Sequence, residues 1–318
     1  MRARFTLSPR GYARVATAAV AALTLVVLTG AAVRLTDSGL GCPDWPRCQG
    51  GIVAPLETHA WIEYGNRLFA GLVGVICVIA FVLAFRRRPF RRDLAVWSAL
   101  LPLGCAAQGA LGALTVATGL APELVMSHFA LSMLILVPAV GLLWRARHEP
   151  GARPRPRDKA AVWAARALVP LAGITLLAGM VSTAAGPHAG DPGEVDRLDF
   201  RGVWTLEWAI EWHGYFAWAL GLAAITVFAI VWRRRGGADL LRAVGLVALL
   251  VGAQGLVGVA QYAWALPAEL VWIHVTLATV TWIAVLWAAV VAGRLSPRGA
   301  RAAGAREPAR ERTLEPVG

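Results

Sequence analysis

Long apolar runs separated by short polar stretches set the pattern of this chain. Eight runs stand out, at residues 16–33, 58–85, 94–117, 122–145, 162–185, 205–232, 243–264 and 268–292. Runs of about 20 apolar residues are long enough to cross a bilayer as helices. None alternates with the period of two that marks a membrane-barrel strand. The pattern predicts an all-α membrane protein with eight transmembrane helices. The first run follows a basic leader, but no small-x-small cleavage site follows it and seven more runs come after, so it reads as a retained helix. Pro102, Pro138 and Pro170 fall inside runs. Membrane helices tolerate such prolines as local kinks when neighbours satisfy the freed carbonyls.

Composition agrees with this class: 58% of residues are hydrophobic and 16% charged, against about 25% charged in soluble domains. A net charge of +12 raises the question of nucleic acid, and its placement answers it. Most Lys and Arg lie in the two termini and in alternate loops. That is the positive-inside pattern, with no binding patch for nucleic acid. Both termini are then cytoplasmic, in a cell membrane. Arg86-Arg87-Arg88 and Arg233-Arg234-Arg235 read as anchors beside anionic membrane lipid. The chain divides into a tail (1–15), a four-helix half (16–145), a polar linker (146–161), a second four-helix half (162–292) and an Ala, Gly and Arg-rich tail (293–318) expected to be disordered.

The halves repeat. Gln108-Gly-Ala-Leu-Gly112 matches Gln254-Gly-Leu-Val-Gly258 at an offset of 146 residues. The same offset carries Glu123 onto Glu269 and His128 onto His274. Four spans is an even number, so the halves keep one orientation, as two parallel pseudo-symmetric four-helix bundles. The motif glycines permit close helix approach or flat contact with a large planar ligand.

Four of the six histidines fall on the even-numbered spans: His59, His128, His213 and His274. A single such histidine is most often a hydrogen-bonded packing residue. Four of them in a duplicated bundle point to haem iron, for which imidazole is a common axial ligand. No Cys-x-x-Cys-His motif for covalent haem occurs. At about 1.5 Å rise per residue, His128 and His274 lie roughly 9 Å, and His213 roughly 12 Å, below the outer ends of their spans. His213 and His274 therefore suit one iron, toward the outer leaflet. Aligning Phe69-Ala70 with Phe216-Ala217 puts Asn66 where the second half has His213. His59 stands on the same face about two turns higher. Glu63 lies between them, with Arg67 beside it, either as a carboxylate that accepts protons or stabilises positive charge, or as half of an ion pair. His148 in the linker is expected to be solvated, and His188 lies in an outer loop.

Cys42 and Cys48 share the first outer loop, on the oxidising side where a disulfide persists. They are expected to pair, as a structural or redox-active bond. Cys77 and Cys105 lie in spans and read as small apolar packing residues.

Taken together, several segments resemble the haem A synthase family over residues 16–292. They are Val33-Arg-Leu-Thr-Asp-Ser-Gly-Leu-Gly-Cys-Pro-Asp-Trp-Pro46, Ile62-Glu-Tyr-Gly-Asn-Arg67, Gly186-Pro-His-Ala-Gly-Asp191, and the two Gln-Gly-x-x-Gly helices each followed by Glu and His. The resemblance implies oxidation of the C8 methyl of haem O to a formyl group by successive hydroxylations, for cytochrome c oxidase. It implies a permanent haem b on His213 and His274, and substrate haem O on His128 with His59 or Asn66 opposite. It assigns Glu63 the catalytic, charge-stabilising or proton-accepting role, and matches Cys42 and Cys48 to the family's loop pair. Haem O synthase and oxidase assembly proteins are the implied partners, and a homo-oligomer is left open. Family members carry Glu-x-x-His-Arg where this chain has Glu63-Tyr-Gly-Asn66-Arg67, and some carry a second cysteine pair that is absent here. Two other readings use the same sequence: a di-haem membrane cytochrome taking electrons from quinol, and a transporter with a parallel repeat.

Overall fold

The computed structural model describes residues 5–150, 158–188, 190 and 205–293. These residues form eight helices: α1 (Pro9–Leu35), α2 (Thr58–Arg86), α3 (Arg92–Ala117), α4 (Pro122–Arg147), α5 (Lys159–Ala184), α6 (Leu206–Arg233), α7 (Ala238–Ala263) and α8 (Ala268–Val291). Each is long and apolar enough to cross a membrane, and the chain is an all-α, multi-pass membrane protein. The helices run unbroken through Pro102, Pro138 and Pro170.

Several helices start outside their apolar runs. Hydropathy marks where lipid must be met, whereas caps decide where a helix begins. The Ser8 hydroxyl accepts the Gly11 N–H at 3.1 Å with Pro9 in the first turn, so α1 begins well inside the expected tail 1–15. Asp158 caps α5 in the same way through Ala160 N–H and Ala161 N–H. Leu7 pairs with the turn after α2, donating to Arg86 O at 2.9 Å and accepting from Arg88 N at 2.9 Å. Residues 151–157 of the expected linker, and the expected disordered tail from residue 294, lie outside the described residues.

Each helix packs on the next, and α1 also packs on α4, and α5 on α8. Two rings of four result, α1–α4 and α5–α8. Helix α8 lies at their seam, against α1 and α4 as well as α5 and α7. Two tryptophans on α8 stitch it there. Trp272 Nε1 donates to Leu28 O at 3.0 Å, and Trp282 Nε1 to Met133 O at 2.9 Å. In an apolar medium an unpaired carbonyl or indole N–H is costly, so these bonds fix the helices' register.

The arginine-rich end is more buried than its sequence suggests. Arg86 and Arg88 are exposed, as lipid anchors require, but Arg87 is wholly buried. Its guanidinium donates to Pro89 O and pairs with Glu149 just beyond α4. Arg91 reaches the same place, donating to Arg145 O at 2.9 Å and His148 O at 3.0 Å. His148 is half-buried rather than solvated, with its ring stacked on Trp144 at 4.8 Å.

Gly141 on α4 makes room for Trp97 on α3. A Cβ at residue 141 would lie 2.3 Å from a ring carbon of Trp97, which is itself covered by the Arg145 guanidinium at 4.0 Å. A rigid ring held on its other face cannot slide away. Gly141→Ala should therefore cost about 1–3 kcal/mol, read as a lower thermal midpoint in detergent. Gly74→Ala, where a Cβ meets nothing within 4 Å, should leave the midpoint unchanged or raised.

Candidate functional site

His213 and His274 project from α6 and α8, which are not neighbours in their ring, and meet across its interior. Their ring centroids are 6.2 Å apart and their planes 79° from one another. A metal about 2 Å from each of two facing imidazole nitrogens, each about 1 Å from its ring centre, sets the centroids about 6 Å apart. The spacing fits one iron between them. His213 Nδ1 lies 3.1 Å from Thr175 O of α5. As the donor it fixes the tautomer that leaves Nε2 as a ligand. His274 Nδ1 is buried without a partner. Glycines border both rings: a Cβ at Gly179 would lie 3.0 Å from His213 Cε1, and one at Gly258 3.3 Å from His274 Cε1. Any side chain there would crowd the imidazoles.

In the first ring, His128 of α4 sits in matching surroundings. A Cβ at Gly112 would be 3.3 Å from its Cε1, and its Nδ1 is also buried and unpartnered. Gln108 Nε2 donates to His128 O at 2.9 Å, as Gln254 Nε2 donates to His274 O at 3.0 Å. The glutamines thus tie each α3-type helix to the backbone of the histidine-bearing one. Gln108 has an extra partner, Ser132 Oγ at 2.5 Å, where the second half has Ala278. The glycines and polar groups fit a planar haem and its ligands in both rings.

On α2 the two candidates separate. Asn66 faces α1: its Oδ1 is 2.7 Å from Thr29 Oγ1, and its Nδ2 would be 3.9 Å from a Cβ at Gly30. Gly30 thus stands to Asn66 as Gly179 stands to His213. His59 is exposed in the first turn of α2, with Nδ1 2.9 Å from Ser38 Oγ. Seven residues of helix put it roughly 10 Å from the level of Asn66.

The loop before α2 closes that end of the first ring. Cys42 and Cys48 form a disulfide, both buried. Glu63, 5% exposed, accepts the Cys42 N–H at 2.7 Å on Oε2 and pairs with Arg67 at 2.5 Å through Oε1. Arg67 in turn donates to three loop carbonyls: Cys42 O at 2.7 Å, Asp44 O at 2.8 Å and Arg47 O at 3.0 Å. The Glu63–Arg67 pair therefore clamps the disulfide loop onto α2. Asp44 holds the loop's far side, accepting from Gly50 N at 2.8 Å and Gln49 N at 2.6 Å. Gly50 first, and Gln49 with it, keep its carboxyl below the usual range. A carboxylate lowered in this way supports the loop above its unfolded pKa of about 4 and ceases to as pH falls through the folded value.

The same end ties the rings together. Arg34 of α1 donates to His188 O at 2.7 Å and Thr183 O at 3.0 Å, and Gly39 N donates to Gly190 O at 2.6 Å. His188 Nε2 lies 2.8 Å from Leu266 O in the α7–α8 turn. Ala189 and Asp191 of that motif lie outside the described residues. The sequence flagged His188 only as a loop residue. Its repeated neighbours, Arg34 and the Leu266 carbonyl, come from distant segments and leave no local signal. Thr29, Ser38 and Thr175 escape notice for the same reason. The role of Gln108 and Gln254 was open to discovery, because both recur at the offset of the histidines.

Residues 13–190 match the COX15-CtaA family, described as cytochrome oxidase assembly protein, and the chain belongs to that family. It is 37% identical over 135 residues to heme A synthase of Shewanella oneidensis, covering 36% of this chain and 40% of that protein. It is 29% identical over 324 aligned residues to heme A synthase of Hyphomonas neptunium, covering 83% of this chain and 87% of that protein. A Haloquadratum walsbyi protein named protoheme IX farnesyltransferase is 32% identical over 133 residues, covering 40% of this chain and 26% of that protein. The chain thus spans less than half the length of some curated relatives it matches, and most of the length of others.

Proposed function

We propose that this chain is an oxidoreductase that converts haem O to haem A, oxidising the C8 methyl to a formyl group through successive hydroxylations. Family membership and the relatives' names support the reaction class. The observation that carries it is the inequality of the two rings. One has two imidazoles spaced for a single iron, His213 and His274. The other has His128 with Asn66 in the corresponding place. A closed two-ligand site suits a resident haem b, and an incompletely ligated one suits a haem that arrives and leaves. His59, held at the rim by Ser38, is assigned no iron.

Bound haem supplies the one-electron redox chemistry that side chains lack. The chain's own groups position and shield it. Thr175 orients the His213 imidazole. Gln108 and Gln254 fix the backbone of the opposing histidines. The disulfide loop caps the first ring and limits water entry. Glu63, paired with Arg67, stands one helical turn above Asn66, placed to stabilise positive charge or take a proton. The positive-inside pattern supports cytoplasmic termini, with the disulfide end and both haem sites toward the outer leaflet. An enzyme that farnesylates haem would supply the substrate, and oxidase assembly proteins would receive the product.

Haem extraction tests this. Expressed with a source of haem O, the chain should yield haem A and a hydroxylated intermediate, with haem b. Recovery of haem b alone would leave a di-haem electron carrier and end the synthase reading. In the same assay His59→Ala should keep wild-type haem content and product, because the rim histidine stands roughly 10 Å along α2 from Asn66.

A further inference from the structure

We infer that Asn66 is a hydrogen-bond donor on an open axial side of the iron held by His128, making the first ring a site for a small exogenous ligand. The inference rests on the proposal that His128 binds haem, and it concerns what stands opposite.

Three polar groups on α2 are candidates for the position opposite His128, and each can be placed. His59 lies roughly 10 Å toward the rim, engaged with Ser38. Glu63 has both oxygens committed, to Cys42 N and to Arg67. Only Asn66 occupies the position that in the second ring holds the iron-facing His213. An asparagine there is no substitute ligand. Its amide nitrogen has its lone pair delocalised into the carbonyl. Its carbonyl oxygen already accepts a hydrogen bond from Thr29. Thr29 Oγ1 has one proton, and the 2.7 Å contact to Asn66 Oδ1 claims it ahead of the 3.2 Å contact to Val26 O. That bond fixes which way the amide faces. It leaves the two Nδ2 hydrogens without a protein acceptor among the described residues. Asn66 is half-buried on a membrane-spanning helix, where a free amide donor favours a guest that accepts a hydrogen bond. The guest class is water-sized or diatomic, because the second ring shows that a protein imidazole could have filled this position and here none does.

The probe is carbon monoxide, added to the dithionite-reduced, haem-loaded full chain in detergent. Wild type should bind it at one of its two haems, the His213–His274 haem remaining low-spin as an internal reference. Asn66→His should lower the CO-reactive fraction about tenfold, by supplying a competing imidazole. Asn66→Leu should keep CO but shift its stretching band to higher wavenumber and speed CO release, and Asn66→Gln should recover the wild-type band in part. Absence of CO binding in wild type, an unchanged CO fraction in Asn66→His, or an unmoved band in Asn66→Leu would overturn the inference. His128→Ala separates the two levels. If it abolishes the CO-reactive haem while the Asn66 variants change nothing, only the Asn66 role fails. If it leaves haem content and CO binding untouched, the His128 site itself is wrong. The reference spectrum of the second ring reports whether each variant has folded.

Discussion

His274→Ala and His213→Ala should each remove the resident haem proposed for this pair from the purified chain and abolish haem A formation. The two imidazoles stand 6.2 Å apart, centroid to centroid, on non-adjacent helices of one ring. Loss of one axial nitrogen turns a low-spin, two-ligand iron into a weakly held one-ligand site, and purification in detergent will strip it. Haem per chain should fall by about half, the low-spin signature should vanish, and product should drop at least about 100-fold, in line with losses of metal-site ligands and their supports. The histidines also differ. His213 is braced by Thr175 O, and the Nδ1 of His274 has no partner. Added imidazole should therefore rescue His274→Ala better than His213→Ala, because the remaining ligand in the former is already oriented. Retention of a full low-spin haem in either variant would refute the pairing.

Arg67→Leu should have the next largest effect, through the loop rather than through haem ligation. The guanidinium holds Glu63 and three loop carbonyls at once. Its removal leaves the largely buried Glu63 carboxylate with the Cys42 N–H alone. Stranding one member of a buried pair costs about 3–5 kcal/mol, and the lower end applies because Arg67 keeps 18% side-chain exposure. The loop should loosen. Cys42 and Cys48 should become reducible and open to alkylation under conditions where the wild-type pair is protected, and haem A formation should fall at least about tenfold. The double variant Arg67→Leu with Glu63→Gln should be more stable than Arg67→Leu alone, because no charge is stranded. If the double variant recovers stability but not activity, Glu63 has a role beyond the clamp.

The spans were legible because lipid imposes one requirement, about 20 consecutive apolar residues, and it is written plainly in residues 58–85 or 268–292. Helix starts were less so, since Ser8 and Asp158 cap α1 and α5 from outside the apolar runs. The proximity of His213 and His274 could be read from depth and repeat alone, and so could the oddity of Asn66. The groups that orient them could not. Thr175 acts through its carbonyl, which any residue possesses. Thr29 acts on Asn66 from another helix. The spacing of Glu63 and Arg67 announced an ion pair, yet nothing in the spacing announced the loop carbonyls of Cys42, Asp44 and Arg47. Arg87 looked like one of three lipid-facing arginines and is instead buried against Glu149, because the turn after α2 folds it beneath α4.

Helix α8 has a consequence for traffic of another kind. Pinned by Trp272 to α1 and by Trp282 to α4, it carries His274 on a helix packed directly against the one that carries His128. Packed helices stand about 8–10 Å apart, axis to axis. Redox groups held by these two imidazoles would lie on either side of the seam where α4 packs on α8. Electron tunnelling falls off steeply with distance, so the indole bonds that hold this seam shut would also set the rate of any electron exchange between the rings. Loosening Trp282 would slow that exchange before it disturbed either pocket.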